Sequence, residues 1–294
     1  MFTSLHHLNM TIFSKERHFW NRNWLFIILQ YCTLLLLTGC QSFFYMPLQN
    51  KIFDPAKINM HPDDVFLSTI SGNKIHGWYF ASTQKDVKGT VLFFHGNAEN
   101  ITSHFLMLRW LPDAGYNYFI FDYPGYGLST GKPNPENTVE AGIAAAEWLH
   151  EKKDQRPLII YGHSLGGIIA MRAVEEMKSS VPIRNVIIEA SFSSYKKMGR
   201  RVLSRQWWTW WLQPVTYVFV SDKYSPEPIS QIAPIPMLFI HGTEDHVIEQ
   251  ESSEELYEAA KDPKEIWMVP GRHGDLYEQR NGQLRQRLLL YLNH

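Results

Sequence analysis

The sequence predicts an α/β architecture, a mostly parallel, twisted sheet with helices on both faces and a helical cap inserted late in the chain. Three observations carry this. Short apolar runs at 90–94, 117–121, 158–161, 185–189, 237–240 and 265–269 alternate with segments of helical periodicity, the pattern of repeated strand–helix units. Nearly every position in these runs is apolar, as expected of strands covered on both faces. The junction at 158–167, Leu-Ile-Ile-Tyr-Gly-His-Ser-Leu-Gly-Gly, reads as strand, sharp turn and helix.

Taken in order, the chain opens with Lys15, Arg17 and Arg22 ahead of an uncharged apolar stretch at 24–37, followed by Leu37-Thr38-Gly39-Cys40. A basic region, an apolar region and a small-residue cleavage site make a secretory signal. The four residues ending at Cys40 resemble the lipobox of bacterial lipoproteins. That resemblance implies a signal peptide over 1–39, lipidation of Cys40 and a membrane-anchored mature chain. Gln41 after the cysteine favours the outer membrane by the sorting rule of Gram-negative lipoproteins. Met10 is an alternative start, and a retained membrane helix is the competing reading, although the apolar run is shorter than the roughly 20 residues a span needs. Cys32 and Cys40 are the only cysteines, so a mature chain beginning at Cys40 carries no disulfide.

Residues 40–63, with Pro47, Pro55 and Pro62, read as a tether. Segments 65–70 and 74–81, joined by Ser71-Gly72-Asn73, read as a β-hairpin. Strand 90–94 runs into His95-Gly96-Asn97-Ala98 and a helix over 102–111. Strand 117–121 ends in Asp122-Tyr123-Pro124-Gly125-Tyr126-Gly127, whose glycine and proline density marks a loop of special geometry. Asp122 is expected to pin that loop and His95 to be structural. A helix over 136–150 leads into the strand that begins at Leu158.

There Gly162-His163-Ser164-Leu165-Gly166 places a serine at the tip of a strand-to-helix turn. Such a serine sits in a strained backbone, and its flanking residues must be small for strand and helix to pass closely. The turn exposes the Ser164 hydroxyl at the carboxyl end of the sheet, with the Leu165 N–H at a fresh helix N-terminus. A glycine-rich nucleotide-binding turn is the alternative, but no second fingerprint follows it. Asn97, or less favourably Ala98, suits a second backbone donor facing Ser164 from the loop after strand 90–94.

Segment 195–224 breaks the rhythm. Lys196, Lys197, Arg200, Arg201 and Arg205 share one half of a helical wheel, and Trp207, Trp208, Trp210 and Trp211 follow. This reads as the cap over the site. Its tryptophans either meet a lipid-like substrate at a membrane surface or pack the cap onto the core.

The rhythm resumes with strand 237–240, the loop His241-Gly242-Thr243-Glu244-Asp245-His246, a helix over 250–260, strand 265–269, the loop Gly271-Arg272-His273 and a helix over 276–292. A serine becomes a competent nucleophile when a histidine takes its proton and an acid holds that histidine. Asp245 and His273 both follow strands, giving the chain order Ser, Asp, His. Glu244 is the rival acid. His241 and His246 read as loop structure, and His163 as packing beneath the turn.

Five motifs in this order resemble those of the α/β-hydrolase superfamily of serine hydrolases, in the branch of serine-aminopeptidase-like and membrane-associated acyl hydrolases. The resemblance covers about residue 64 to the C-terminus. It implies the α/β-hydrolase fold, Ser164 as nucleophile, His273 as general base and acid, Asp245 as orienting acid, and N–H groups of Leu165 and Asn97 as oxyanion hole. It implies cleavage of carboxylic esters or thioesters through an acyl-serine, without cofactor or metal. Peptide or amide hydrolysis, or a membrane-tethered binding protein without turnover, are the competing functions. Lys and Arg number 28 against 29 Asp and Glu, a net charge of −1, so nothing in the charge balance points to nucleic acid.

Overall fold

The computed structural model describes residues 44–153, 156–226, 228–278 and 282–293. The expected leader and Cys40 lie outside the described residues. No helix of the described residues is long and apolar enough to cross a membrane.

An eight-stranded sheet organises the domain. In chain order its strands are β1 (Asp63–Ser68), β2 (Lys74–Phe80), β3 (Gly89–Phe94), β4 (Tyr116–Phe121), β5 (Leu158–His163), β6 (Ile183–Glu189), β7 (Met237–Gly242) and β8 (Lys264–Val269). They lie in the order β1-β2-β4-β3-β5-β6-β7-β8. The first two form an antiparallel hairpin, β2 is antiparallel to β4, and all remaining neighbours are parallel. The hairpin turns through Gly72 at φ 82°, a left-handed conformation that glycine adopts without a Cβ penalty.

The parallel strands are apolar on both faces because both faces are covered. Leu92, Phe94, Ile160, Ile188 and Phe239 point into one core, while the intervening Val91, Phe93, Ile159, Ile187 and Leu238 point into the other. The first face is closed by α2 (Pro135–Trp148), α3 (Leu165–Met177), α4 (Tyr195–Ser204) and α6 (Gln250–Ala259). The second is closed by α1 (Ile101–His104), the 3₁₀ turn Phe105–Leu108 and α7 (Gln283–Asn293). A short α5 (Val215–Phe219) completes the inserted segment.

Asn134 caps α2 by accepting the Asn137 N–H at 2.8 Å, with Pro135 at the first helical position, both favourable at a helix start. Ser194 caps α4 through the Lys197 N–H. By contrast α3 begins on Ser164 with no side-chain cap; the Gly167 N–H turns back to the Ser164 carbonyl at 3.0 Å, and no side chain among the described residues covers the N–H of Leu165.

Two expectations are corrected in detail. The segment expected as a helix over 102–111 is one α turn followed by 3₁₀ structure. Phe105, Leu108 and Leu111 recur every three residues and are all fully buried, which matches the three-residue 3₁₀ turn better than 3.6. The last helix starts at Gln283 instead of 276, after Gly282 at φ 76°.

The described part of the expected tether is packed into the domain instead of standing off it. Phe44 and Tyr45 are buried. Met46 and Pro47 pair in parallel with Ala98 and Glu99. Asn100 donates to the carbonyls of Leu48 (2.8 Å) and Asn50 (2.9 Å).

The sheet reverses its winding at β3. The chain leaves β3 for β4 on one side and then crosses to β5 on the other, so the loops after β3 and β5 part over a crevice at the carboxyl ends. That is where open α/β sheets take ligands.

Candidate active site

Ser164 follows β5 with φ 53° and ψ −121°, a left-handed backbone that costs a residue with a Cβ about 1–3 kcal/mol and persists only when its surroundings enforce it. The enforcement is visible. The Ser164 N–H donates to the Glu189 carbonyl at 2.9 Å, and its own carbonyl accepts from Ser191 Oγ at 2.7 Å. A Cβ on Gly166 would lie 2.0 Å from the Phe94 carbonyl oxygen, and one on Gly167 would lie 2.4 Å from Ser191 Oγ. Only glycines allow α3 to start this close to β3 and to the end of β6. The serine is 8% exposed and its hydroxyl has no hydrogen-bond partner among the described residues.

Asp245 sits in the turn after β7. Its Oδ1 accepts the N–H groups of Val247 (2.7 Å) and Ile248 (2.9 Å). Its Oδ2 accepts from His273 Nδ1 at 2.7 Å. Burial works to raise the carboxyl's pKa, but the His273 hydrogen bond and charge together with the two backbone donors hold it below the ordinary aspartate value. The rival Glu244 is exposed. His241 is buried and braces the turn, bonded at 2.7 Å to Ser253 Oγ and at 3.1 Å to the Ile248 carbonyl. Burial lowers its pKa, so it stays neutral beside Asp245.

With Nδ1 given to Asp245, His273 keeps Nε2 free to take a proton. Its ring rests 4.7 Å from the ring of His163, the residue before Ser164. The structure thus brings the strand ends carrying Ser164, Asp245 and His273 to one place. His163 is buried, within 3.4 Å of Glu189 Oε1, and lies against the candidate base.

The loop after β3 is held from behind. Tyr123 donates to the His95 carbonyl at 2.9 Å and Tyr126 to the Asn97 carbonyl at 2.6 Å. His95, fully buried, donates from Nδ1 to the Gly96 carbonyl at 2.8 Å. Because a trans peptide points its C=O and N–H in opposite directions, this fixes the direction of the Asn97 N–H. Asn97 Oδ1 accepts the Met46 N–H at 2.9 Å, so its side chain is occupied and its backbone is the group available. A Cβ on Gly166 would also meet the His95 carbonyl at 2.5 Å, which places this loop against the N-terminus of α3 and the Leu165 N–H. Asp122 pins the next loop as expected. Its Oδ1 accepts the Ile101 N–H at 2.9 Å and its carbonyl accepts Ser129 Oγ at 2.8 Å.

The domain carries the match to a family model described as serine aminopeptidase, S33, over residues 85–232, and the YfhR protein of Escherichia coli O157:H7 is 31% identical over 264 residues, 87% of this chain and 88% of that protein. The chain belongs to the serine aminopeptidase S33 family of α/β hydrolases. WAV2, an α/β-hydrolase domain-containing protein of Arabidopsis thaliana, is 28% identical over 78% of this chain and 79% of its own length. Among solved structures, the Pyrococcus furiosus esterase Pf2001 superposes with a TM-score of 0.67 at 19% identity, covering 85% of this chain and 97% of that one, which shows the shared fold.

Within this S33-family chain the sequence left one cluster unseen. Glu189 at the end of β6 is fully buried and hydrogen-bonded by the Tyr161 hydroxyl, which lies 2.7 Å from the Tyr277 hydroxyl. Burial raises both phenols far above their ordinary value, so they remain protonated donors around the carboxylate. The only sequence signal was a glutamate ending an apolar run. The 195–219 segment is fastened beside the turn that carries Asp245: Arg205 donates to the Val247 carbonyl at 2.6 Å, and Arg201 meets Glu249 (3.2 Å) and Glu255 (3.3 Å). Its tryptophans do not pack on the core. Trp207, Trp208, Trp210 and Trp211 are 83%, 54%, 64% and 67% exposed.

Proposed function

We propose that this hydrolase cleaves carboxylic esters or thioesters through an acyl-serine intermediate. The observation that carries the reading is the 2.7 Å bond from His273 Nδ1 to the buried Asp245 carboxylate, with the His273 ring 4.7 Å from His163, the residue before a serine held at positive φ. Ser164 Oγ attacks the acyl carbon as His273 Nε2 takes its proton. The tetrahedral oxyanion is stabilised by the N–H groups of Leu165 and Asn97, worth roughly 10²–10³ in rate per donor. The intermediate collapses as His273 returns the proton to the departing alcohol or thiol. Water then enters by the same route in reverse and releases the acid. No step needs a metal or a cofactor. A small-molecule or lipid-like acyl compound is the substrate class.

The test is a panel of p-nitrophenyl esters, acyl thioesters and aminoacyl anilides of graded chain length with parent and Ser164→Ala protein. Ester or thioester turnover that disappears with Ser164→Ala supports the reading. Turnover confined to the anilides would replace it with aminopeptidase chemistry, and no turnover of any substrate would leave a binding protein.

We also propose that the mature chain begins at a lipidated Cys40 and sits on a bacterial membrane, by preference the outer one facing the periplasm. The support is the Leu37-Thr38-Gly39-Cys40 motif behind a basic and apolar leader.

A further inference from the structure

The inserted segment presents a surface that neither catalysis nor folding explains. Besides the four exposed tryptophans it shows Tyr217 (57% exposed) and Val218 (75%). Monomeric proteins rarely leave so much aromatic surface together without a use. Between 195 and 219 there are five basic residues and no Asp or Glu. Lys197 and Arg201 are neutralised by Glu249 and Glu255 of the neighbouring loop and helix. Arg200 instead donates to the Tyr217 hydroxyl at 2.6 Å and stacks over that ring, and Arg205 donates to a carbonyl. Neither has a carboxylate partner among the described residues, so the face keeps a positive charge among its rings.

A second observation says where this face lies along the chain's path. Phe44, where the described domain begins, packs edge-on against Tyr195 at 5.3 Å. A Cβ on Gly199 would lie 3.4 Å from Phe44 Cζ and 3.3 Å from Thr216 Cγ2. Tyr45 OH is 3.2 Å from Tyr195 OH. The chain therefore enters the domain at the seam between α4 and α5. Phe44 lies four residues after Cys40, a reach of at most about 14 Å, and the apolar 24–37 segment precedes Cys40 in the sequence. If Cys40 carries the proposed lipid, that short reach keeps α4 within range of the bilayer surface.

We propose that the exposed 200–217 segment, through Arg200, Arg205, Trp207, Trp208, Trp211 and Tyr217, docks on an anionic lipid bilayer, with the indoles at the headgroup level and the guanidinium groups on lipid phosphates. Tryptophan suits that depth because its ring is apolar and its N–H can remain wet. Arginine suits it because the negative surface potential of anionic lipid attracts cations over about a Debye length. A second copy of the chain is the other occupant to consider. A two-fold contact through this face would bring Arg200 and Arg205 near their own copies with no acid in the segment to offset them. The proposal is independent of the hydrolase reading, so Ser164→Ala protein should dock as the parent does.

The experiment uses the full chain reconstituted into vesicles of phosphatidylcholine alone or mixed with phosphatidylglycerol. It reads quenching of tryptophan emission by brominated lipid and amide hydrogen exchange over 206–219. The expected result is strong quenching and slowed exchange in the anionic vesicles, both diminished in phosphatidylcholine and in high salt. In a Trp207→Ala, Trp208→Ala, Trp211→Ala variant the quenching falls to the share of the remaining tryptophans. An Arg200→Gln, Arg205→Gln variant keeps the tryptophans and should lose the preference for anionic lipid. Unchanged exchange over β5 in each variant shows that the fold is intact. Equal quenching in parent and tryptophan variant, with exchange over 206–219 the same in vesicles and detergent, would overturn the proposal. So would protection of 206–219 in detergent that rises with protein concentration, which would assign the face to a second copy.

Discussion

Asp245 and His104 give the site its sharpest tests at the level of single residues. Asp245 accepts three hydrogen bonds, two from its own turn and one from His273. An asparagine can keep the turn but presents His273 with either a weaker acceptor or a donor, which favours the wrong tautomer. Asp245→Asn should therefore lower ester turnover by about 10⁴ with little change in thermal midpoint, by analogy with the serine-protease case. A fall of less than tenfold would mean that another acid holds His273. His104 stacks on His95 at 5.0 Å and donates from Nε2 to the Ala98 carbonyl at 2.7 Å. Burial lowers its pKa to about 4, against the opposing effect of that bond. Its folded pKa lies below its unfolded value, so the unfolded chain takes up the proton first and stability is lost as pH falls from about 6.5 towards 4. His104→Gln can still donate to Ala98 and has no such proton to take up. Its stability relative to the parent, from urea midpoints, should rise between pH 7 and pH 5; a constant difference would contradict the assignment. The positions of Ser164, Asp245 and His273 just beyond strand ends were legible in the sequence because each follows an apolar strand at a short offset. Glu189 was not, because its surroundings depend on Tyr161, which reaches it from β5, and on Tyr277 from near the C-terminus, which bonds Tyr161 in turn.

Among the elements, the strands were the easiest to read and the connections the hardest. A strand covered on both faces announces itself as an apolar run, and β3 to β8 lie within two residues of expectation. The segment at 44–52 carries no periodic pattern, because its order comes from hydrogen bonds to Asn97, Asn100 and Thr102. It therefore read as a tether. The inserted segment left its tryptophans open between substrate contact and core packing, and their exposure decides against the core. Two substitutions separate these elements. Phe44→Ala removes a ring that is 8% exposed and seated on Tyr195, which should cost about 3 kcal/mol. Trp207→Ala removes a ring that is 83% exposed and should change stability by less than about 0.5 kcal/mol. Urea unfolding of both variants checks the pair. Equal losses would mean that the inserted segment is part of the core.

For the whole molecule, the described residues form a hydrolase domain, and the proposed lipid anchor at Cys40 precedes it in the sequence. The crevice at the carboxyl ends of β3 and β5 forms the candidate site, and Phe44 and Tyr45 lie against the inserted helices. Sequence analysis could name both ends of this arrangement. It could not show that residues 44–50 run along the rim of the site, since that contact is made by the parallel pairing of Met46 and Pro47 with Ala98 and Glu99. If Cys40 anchors the chain, Cys40→Ser should yield an unprocessed, unlipidated precursor, detected by intact mass and by radiolabelled palmitate; normal processing of the variant would remove the lipoprotein reading.

The central claim is that Ser164 is a nucleophile activated by the Asp245–His273 pair. Its most direct measurement is reaction of the purified protein with a fluorophosphonate probe, followed by mapping of the modified peptide by mass spectrometry. The account predicts one adduct, on Ser164, formed far more slowly in His273→Ala protein. An adduct on another residue, or equal labelling of parent and Ser164→Ala protein, would contradict it.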